Sequence, residues 1–586
     1  MMYKVTQSIK DTHVLILDIQ ATGADPGVNH ILEIGWSTIG TGCNGSAPRI
    51  RSSCVKLPDD AEVSRRVLKI TGLSDDDFEN GLRLPAVWKR VMRSAKNINK
   101  TNGTDTCPLV IHYSRFEEPY LRLLHEQYNG GGLFPFRIVC THEISKRLFP
   151  ELPRKGLRAI AGYLGYSTDQ MRRASHHTAA TAFIWQTIIP VLKKTYDIRS
   201  MEDLIAWMAD TGRSISKSRA YPMKDAQRKN IPARPGIYRM RRLNGDVLYV
   251  GKAASLKQRV RSYFQKKTGH AEHILEMLSQ AQDLDYTLTL STLEAAMLES
   301  DMIKALSPPY NMSLKQGSRD VCFYTQGLDA CNSGPTRKYC TGPVPSNDLF
   351  DCLHYLKSLL KTEKTDISSA ESFLVPGLPA EYQPDHDTFA EGLAIFRDTY
   401  KTYLSGDVEI STLLHIGALV WREKLKNREE EEAADLSDEE SDKEEDNREE
   451  QFVWTPERTA KALESVLSRS SFLLRRARWF CMLSESSISW KPGNGSSSEK
   501  MLMIIHNGTI KKHASVPVHQ ATPVPPGYCK GFPVRRRNFN LAVYDRMRVL
   551  TTEIRRLIKE DRLLELCLGP QGRIKKDSLS RFLRWV

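Results

Sequence analysis

Short apolar runs alternate with longer helical stretches over residues 1–195. Unbroken apolar runs of this length are typical of buried strands, whereas longer runs with apolar residues three or four positions apart are typical of helices. Three runs have strand character: VLILDI (14–19), HILEIGWSTI (30–39) and PLVIHY (108–113). Two stretches have helix character: LRAIAGYLGYS (157–167) and TAATAFIWQTIIPVLKKTYDI (178–198). The alternation predicts an α/β domain over residues 1–195.

A linker is predicted over 196–232, because residues 211–231 (TGRSISKSRAYPMKDAQRKNI) are polar and basic. The next segment, 233–315, begins with a predicted β-hairpin, because Asn244-Gly245 separates two runs of strand character and both residues tolerate a positive φ angle. The pattern then predicts a helix, a strand and a second helix: HAEHILEMLSQA (270–281), LDYTLTL (284–290) and EAAMLESDMIK (294–304). The segment is therefore predicted to be a second, smaller α/β domain.

Helical patterns dominate the rest of the chain. They predict a helical region over 316–428, an acidic, disordered linker over 429–451 and a basic C-terminal domain over 452–586. Within the last domain, 455–478 predicts a helix and WFCMLSESSISW (479–490) a strand-like segment. The whole chain is predicted to be an α/β multidomain protein with a mixed helical C-terminal region.

The net charge of +14 at pH 7 understates the basic character of the chain. Residues 429–450 hold 14 acidic and 2 basic side chains, so the remainder carries +26. Such an excess attracts polyanions and favours DNA as a partner. A basic protein without this partner is the alternative. The acidic run is either a solvated linker or a nucleic-acid mimic that guards a basic groove.

The sequence contains no run of 18 or more apolar residues, so neither a transmembrane helix nor a membrane partner is predicted. The N-terminus lacks the apolar core of a signal peptide, which favours a cytoplasmic location. The 11 cysteines suit reduced thiols in that compartment. Metal binding stays an open question for four neighbouring cysteines whose spacing matches no tight motif: Cys322, Cys331, Cys340 and Cys352.

The first domain carries three motifs in a fixed order: Asp18-Ile-Gln20-Ala-Thr22-Gly23, His112-Tyr-Ser-Arg-Phe-Glu117, and His176-His177-Thr-Ala-Ala-Thr181-Ala182. Together they resemble the motifs of DnaQ-like (DEDDh) proofreading exonucleases, and the resemblance extends over nearly 180 residues. It implies a ribonuclease H-like fold. In that family four acids hold two divalent metals, and a histidine activates the attacking water.

The match to this exonuclease pattern is partial. Asp18 stands at the position of the first acid, but Gln20 places a neutral amide at the second. Glu117 stands where an aspartate is usual and keeps the carboxylate.

The acid of the last motif is absent in either alignment. If His176 is the histidine of the family, the acid position is Thr181; if it is His177, the position is Ala182. Two metals need several carboxylates to offset their charge, and only two of the four remain. The first domain is therefore predicted to be degenerate and to position DNA or a partner.

A second set of residues lies in order within 233–315: Gly236-Ile-Tyr238, Tyr249-Val-Gly-Lys252, Arg259, Tyr263, Glu299 and Asn311. Their identity and spacing resemble the GIY-YIG nuclease domain, most closely that of UvrC and its shorter relative Cho. The resemblance extends over about 80 residues. It implies a nuclease that makes one metal-dependent cut in a DNA strand.

Phosphodiester hydrolysis needs a deprotonated water, a charge clamp on the phosphate and help for the leaving oxygen. The resemblance implies that Glu299 holds one Mg²⁺ or Mn²⁺, which stabilises the leaving oxygen. It implies that Arg259 binds the scissile phosphate and that Tyr249 is the general base, with a pKa lowered by Lys252 and Arg259.

The remaining residues receive supporting roles. Tyr238 and Tyr263 would orient the water or the phosphate, with packing in the hairpin core as the alternative. Asn311 would hold the geometry of the site. Arg261 and Lys304 are predicted to contact DNA.

The sequence thus predicts a UvrC/Cho-like DNA repair endonuclease, with UvrA/UvrB-type damage sensors as candidate partners and no small-molecule substrate. Three alternatives stay open. One is a dual nuclease with residual 3′–5′ exonuclease activity. Another is a non-catalytic scaffold for repair or replication. The third is a GIY-YIG endonuclease of a phage or mobile element with a sequence preference.

Overall fold

The computed structural model describes residues 7–583 apart from 41–47, 60, 131, 169–170, 211–219, 266–268, 312–319, 346–348, 362–383, 436–452, 494–497, 526–538, 569–571, 575–578 and 581–582. The chain forms two compact units, the first from 1–295 and 305–313 and the second from 296–304 and 314–586. No helix of the described residues is both long enough and apolar enough to cross a membrane.

The first domain of the first unit is built on one five-stranded sheet. Its elements are β1 (His13–Ala21), β2 (Ile31–Gly40), β3 (Arg51–Cys54), α1 (Arg65–Thr71), α2 (Asp75–Glu79), α3 (Leu84–Asn102), β4 (Cys107–Ile111), α4 (Ser114–Asn129), β5 (Phe136–Cys140), α5 (Thr141–Leu148), α6 (Leu157–Tyr163) and α7 (Ala174–Tyr196). The strand order is β3-β2-β1-β4-β5. Strands β1, β2 and β3 pair antiparallel, whereas β1, β4 and β5 pair parallel. This mixed sheet with flanking helices confirms the predicted α/β class.

Strand β1 is buried on both faces, which explains its nearly unbroken apolar sequence. Leu15 and Leu17 belong to a core shared with α3 and α4, while Val14 and Ile16 belong to a core shared with α5, α6 and α7. Side chains alternate between the two faces of a strand. Asp18 therefore points to the same face as Val14 and Ile16, towards α7.

A glycine on the neighbouring strand allows α7 to approach the sheet. Gly35 lies directly opposite Asp18 in the pairing of β1 with β2. A Cβ atom at Gly35 would lie 2.6 Å from the Ala174 carbonyl oxygen and 2.6 Å from Thr178 Oγ1. Only glycine fits this contact, which brings the first turn of α7 next to Asp18.

The second domain follows in the same unit. Its elements, with the preceding helices, are α8 (Met201–Ala209), α9 (Asp225–Lys229), β6 (Gly236–Arg241), β7 (Val247–Ala253), α10 (Leu256–Tyr263), α11 (Glu272–Gln280), β8 (Asp283–Leu288) and α12 (Thr292–Leu306). The strands form an antiparallel sheet in the order β7-β6-β8. Gly245 has a φ angle of +90° in the turn between β6 and β7, and the predicted hairpin is confirmed.

The two domains of the first unit are joined by a buried polar contact between α6 and α11. A Cβ atom at Gly162 would lie 1.9 Å from the side-chain oxygen of Gln280, so the helices touch only because residue 162 is glycine. The Arg242 side chain is fully buried there; its Nε donates to Gln280 Oε1 at 3.1 Å, and its Nη2 donates to Thr168 Oγ1. The third guanidinium nitrogen pairs with Asp246 at 3.2 Å.

The second unit contains the middle of α12 and all later elements. These are β9 (Val321–Tyr324), β10 (Cys331–Asn332), β11 (Thr341–Pro345), α13 (Leu349–Lys361), α14 (His386–Thr399), α15 (Ile410–Asp435), α16 (Pro456–Leu483), β12 (Ser486–Trp490), β13 (Glu499–His506), β14 (Thr509–Pro517), α17 (Leu541–Lys559), β15 (Leu563–Leu568) and β16 (Gly572–Ile574). Two antiparallel sheets have the orders β10-β9-β11 and β14-β13-β12-β15-β16. Helices α13 to α16 share one apolar core.

Three local predictions differ from the structure. The predicted linker 196–232 contains α8, whose Met201 and Leu204 belong to the core of the first domain, and α9, whose Arg228 lies over the Phe264 ring. Helix α15 continues to Asp435, into the acidic run that was predicted to be disordered, while 436–451 lies outside the described residues. The strand predicted from residue 479 begins only at Ser486, because α16 continues through Leu483.

Candidate functional site

The tyrosine cluster of the second domain depends on a close approach of its first two strands. Tyr238 on β6 lies opposite Gly251 on β7. A Cβ atom at Gly251 would lie 2.5 Å from the Tyr238 hydroxyl oxygen, so any larger residue would displace that ring. The Tyr-Val-Gly sequence on β7 thus leaves room for the tyrosine on β6.

Hydrogen bonds connect two tyrosines and an arginine in this cluster. The hydroxyl oxygens of Tyr238 and Tyr263 are 2.9 Å apart, and Arg259 Nη2 donates to the Tyr263 hydroxyl at 3.2 Å. The ring of Tyr249 lies 6.0 Å from that of Tyr238, measured between centroids. Tyr238 is fully buried, whereas Arg259 is exposed on α10 and Tyr249 is half-buried. The hydrogen-bonded cluster therefore reaches the protein surface through Arg259.

Tyr238, the fully buried tyrosine of the cluster, has a raised pKa. Burial raises its pKa well above the ordinary value, and the neighbouring Tyr263 and Tyr249 raise it further. Arg259 lowers the pKa but is outweighed. Tyr238 thus keeps its proton at neutral pH and serves as a hydrogen-bond donor or acceptor, not as a base.

Asn311 fixes the strand that carries Tyr249. Its side-chain oxygen accepts from the Val250 backbone N–H at 2.9 Å, and its side-chain nitrogen donates to the Val250 carbonyl oxygen at 2.8 Å. Asn311 is buried, so both bonds are shielded from water. This paired contact replaces a missing neighbour strand and holds the backbone beside Tyr249 and Gly251.

Glu299 is half-buried on α12, in the part of the helix that belongs to the second unit. That part is held to α17 by two ion pairs. Lys304 Nζ lies 3.1 Å from Asp545 Oδ2, and Arg546 Nε lies 2.8 Å from Asp301 Oδ1. The helix with the predicted metal ligand is therefore anchored by charges on α17.

Lys304, which was predicted to contact DNA, is largely buried. Its side chain is only 10% exposed, and its ammonium group also donates to Ser300 Oγ at 2.9 Å. The carboxylate of fully buried Asp545 already compensates its charge. Arg261, the other predicted DNA contact, is exposed on α10, and Lys252 is half-buried on β7.

In the first domain, β1 and α7 bring a carboxylate and a histidine together. His177 Nδ1 lies 3.3 Å from Asp18 Oδ2. The structure thus selects His177, rather than His176, as the histidine that faces the first acid. Burial lowers the pKa of His177, but the Asp18 carboxylate and a hydrogen bond to the backbone of Met171 together raise it by more, so the imidazole is held towards its charged form.

Two of the other predicted positions, Gln20 and Thr181, are buried and uncharged. Gln20 Nε2 donates to the Arg172 carbonyl oxygen, and Thr181 lies buried on α7. Among the described residues, Gln20 Oε1, Thr181 Oγ1 and His176 Nδ1 are buried without a hydrogen-bond partner. Neutral donors and acceptors therefore occupy places where the exonuclease pattern has carboxylates.

Sequence reasoning missed a third buried carboxylate, Glu33, on β2. It is paired with Arg173, whose Nε lies 3.0 Å from Glu33 Oε2, and it accepts from the Ala174 backbone N–H at 2.9 Å. The feature that could have identified Glu33 is its position within the apolar strand β2, where it lies opposite Gln20 of β1. Arg173 Nη2 also donates to Glu33 Oε1 at 3.4 Å, so both carboxylate oxygens are engaged and Glu33 holds the start of α7.

Comparison with known proteins assigns both domains. Residues 234–312 match the model of the UvrC-like GIY-YIG domain, and residues 15–181 match an exonuclease family model. Residues 15–181 form an exonuclease-family domain, and residues 234–312 form a UvrC-like GIY-YIG domain. The two resemblances and the fold class predicted from the sequence are confirmed.

Individual relatives cover the chain only in part. UvrABC system protein C of Clostridium beijerinckii is 36% identical over 160 residues, and the match covers 25% of this chain and 25% of that protein. The chain thus spans about a quarter of the length of that curated relative. The GIY-YIG N-terminal endonuclease domain of UvrC from Thermotoga maritima, bound to magnesium, is 31% identical and covers 15% of this chain and 100% of its own, with a TM-score of 0.14. The nuclease domain of 3′hExo, a DEDDh family member, is 19% identical and covers 32% of this chain and 95% of its own, with a TM-score of 0.27.

The donor set of the exonuclease-family domain does not fit two divalent metals. Asp18 is paired with His177, Gln20 offers an amide, and Glu33 is neutralised by Arg173. Among the described residues, no three histidine, cysteine or acidic side chains are grouped so that they could hold a metal ion, and this includes the four clustered cysteines. Two divalent ions would bring four positive charges to a pocket with too few free carboxylates.

We expect that Glu117→Gln stabilises the exonuclease-family domain at mildly alkaline pH. Burial, and then the charge of Asp18, hold the pKa of Glu117 well above its ordinary value, and its Oε2 has no hydrogen-bond partner among the described residues. The unfolded chain loses this proton at lower pH than the folded chain, so the free energy of unfolding falls as the pH rises from the ordinary pKa through the folded one. An uncharged amide should recover about 1–3 kcal/mol, the usual penalty of an unsatisfied buried group.

Thermal unfolding at mildly acidic and mildly alkaline pH measures this effect. The gain should shrink towards acidic pH, where Glu117 is protonated in both states. Glu126→Gln, at an exposed position on the same helix, should leave the unfolding temperature unchanged at both pH values. A loss of stability at alkaline pH would instead mean that an ionised Glu117 is held by a bound cation.

Proposed function

We propose that the chain is a UvrC-like DNA repair endonuclease whose GIY-YIG domain makes a metal-dependent incision in one strand. The observation that carries this proposal is the hydrogen-bonded group of Tyr238, Tyr263 and Arg259, whose arginine is exposed, within a domain that matches the UvrC-like GIY-YIG model. UvrA/UvrB-type damage sensors are the proposed partners, and the cytoplasm is the proposed location.

Glu299 fits a single Mg²⁺ or Mn²⁺ better than a multi-metal centre. Mg²⁺ keeps several waters and needs only one or two protein carboxylates, and Glu299 offers one from the partly exposed face of α12. When bound, such an ion stabilises the charge that develops on the leaving 3′ oxygen. Mg²⁺ is also the catalytic ion of the Thermotoga maritima domain.

The side chains of this domain supply binding and proton transfer. Arg259 presents its guanidinium at the surface of α10 and would clamp the scissile phosphate, while Lys252 adds a second positive charge. Tyr249, the half-buried member of the cluster, is the proposed base that takes the proton of the attacking water. Tyr263 orients Arg259 through its hydroxyl group, and buried Tyr238 is a positioning residue that acts through Tyr263.

The exonuclease-family domain is proposed to position DNA or a partner without cutting. Two of the four acid positions are neutral, Asp18 is paired with His177, and burial holds Glu117 towards its protonated form, whereas the fold around them is kept. A dual nuclease with residual 3′–5′ activity and a non-catalytic scaffold are the other two candidates. They differ in the products they would leave on DNA.

Cleavage of end-labelled damaged and branched duplexes with Mg²⁺ tests the proposal. The wild-type chain should give a discrete internal nick, and Asp18→Ala should give the same nick at the same rate. Arg259→Ala should slow the nick by about a hundredfold or more, because it removes the charge that holds the phosphate.

Other product patterns would contradict this division of roles. A ladder that shortens from the 3′ end and is lost in Asp18→Ala would show that the exonuclease-family domain cuts. An absence of any cut, combined with tight DNA binding, would favour the scaffold.

A further inference from the structure

A basic cleft lies between α9 and α10, outside the tyrosine cluster. It has a volume of about 480 Å³, within the usual range of about 300–1,000 Å³ for ligand sites. Its lining residues are Asp225, Arg228, Lys229, Lys257, Arg261, Phe264 and Gln265. We call it the α9–α10 cleft. Helix α9 precedes residue 234, so half of the cleft lies outside the matched GIY-YIG domain.

The charge of the cleft is strongly positive. Four of its lining side chains are cationic and one is acidic, which leaves a net charge of +3. Asp225 is shared between Arg228 and Lys229, at 3.5 Å from Lys229 Nζ. Lys257 and Arg261 are exposed on α10, and neither forms an ion pair with another residue that the structure describes. The cleft therefore presents uncompensated charge to an anion.

One side of the cleft is formed by an aromatic ring and by a guanidinium that is packed against it. The Arg228 guanidinium lies 4.5 Å from the centre of the Phe264 ring, and the ring of Tyr221 packs edge-on against Phe264 at 5.0 Å. The Arg228 side chain is only 19% exposed, and its Nε is buried without a hydrogen-bond partner among the described residues. Arg228 is therefore packed into the cleft, unlike a solvent-exposed arginine that contributes only to solubility.

Helix α10 connects the cleft to the candidate active site. Residues four apart lie on one face of a helix, so Lys257 and Arg261 share one face and Arg259 and Tyr263 share another. Both faces are basic. A helix is about 10 Å across, so the two faces would meet different phosphates of one strand.

We propose that the α9–α10 cleft binds backbone phosphates of the DNA strand that are close to, but distinct from, the phosphate held at Arg259. The cleft is the second anchor of that strand, and α9 gives this chain a DNA contact that the GIY-YIG domain alone does not supply. Cations hold phosphates without regard to base sequence, so this contact positions the strand without reading it. This inference rests on the proposed function for its choice of DNA.

The test is the salt dependence of DNA binding by the full chain. Each phosphate contact contributes about 0.9 to the slope of log affinity against log salt concentration, so Lys229→Gln combined with Lys257→Gln should reduce the slope by about 1.8. The two lysines come from the two sides of the cleft and are both exposed, so the fold should be kept. The probe is a fluorescent DNA duplex, measured by anisotropy, and thermal unfolding checks the fold.

The matched control removes the same charge elsewhere. Lys193→Gln combined with Lys194→Gln changes two exposed lysines of α7 and should leave the slope almost unchanged. An equal reduction in both double variants, or none in the cleft variant, would overturn the proposal. The result is independent of cutting: a wild-type chain that never nicks DNA refutes the proposed function, while the slope difference alone decides whether the cleft binds phosphates.

Discussion

Replacement of Glu299 by glutamine is expected to lower the incision rate at least about a thousandfold, equivalent to about 4 kcal/mol of transition-state stabilisation. The exchange keeps the size and shape of the side chain but removes its charge. A neutral amide is a poor ligand for Mg²⁺, which prefers anionic oxygen, so the leaving oxygen would lose its charge stabilisation. The binding of DNA should change little, because the change removes a negative charge.

Nicking by the full chain under single-turnover conditions measures this effect. Glu294→Gln is the control on the same helix, since Glu294 accepts from the Leu290 backbone N–H at 2.9 Å and an amide oxygen can do the same. The control should nick at the wild-type rate. A higher Mg²⁺ concentration should restore part of the activity of Glu299→Gln if the residue binds the ion. Nicking by Glu299→Gln at the wild-type rate would remove it from the proposed site.

The elements that were predictable from the sequence are those whose pattern is local. Strand β1 is apolar on both faces, and the turn at Gly245 needs a positive φ angle, so one short stretch of sequence determined each of them. The end of α16 was not predictable in this way. Its last turn is apolar, and β12 is buried throughout although three of its five residues are serines, so only the contacts of the folded unit decide where the helix stops.

The sequence predicted which residues belong to the candidate sites, but not which of them contact one another. The motifs identified Asp18 and two adjacent histidines. The orientation of α7 about its own axis, set by its contact with Gly35, determines that His177 faces the carboxylate. Lys304 resembled a surface lysine because its partner, Asp545, comes from a distant part of the sequence. Long-range ion pairs of this kind leave no local pattern.

The buried Arg242 leads to the second large effect, a loss of about 3 kcal/mol or more in the free energy of unfolding of the first unit on replacement by alanine. The guanidinium donates to Gln280 in the GIY-YIG domain and to Thr168 in the exonuclease-family domain, and the side chain is fully buried. Alanine would leave a cavity and two buried polar groups without their partner. The contact between α6 and α11 should loosen first, because Arg242 joins the two domains there.

Hydrogen exchange over 157–163 and 272–280, together with urea unfolding, measures this loosening. Arg241→Ala is the matched control on the same strand, since Arg241 is 30% exposed and pairs with Asp285 at 2.5 Å. Such a partly exposed pair contributes about 1 kcal/mol or less. Faster exchange in both segments of Arg242→Ala, and in neither segment of Arg241→Ala, would show that the exonuclease-family domain is a fixed support of the GIY-YIG domain. Equal unfolding midpoints for the two variants would mean that the domains hold together without Arg242, and the support would then rest on the close packing at Gly162.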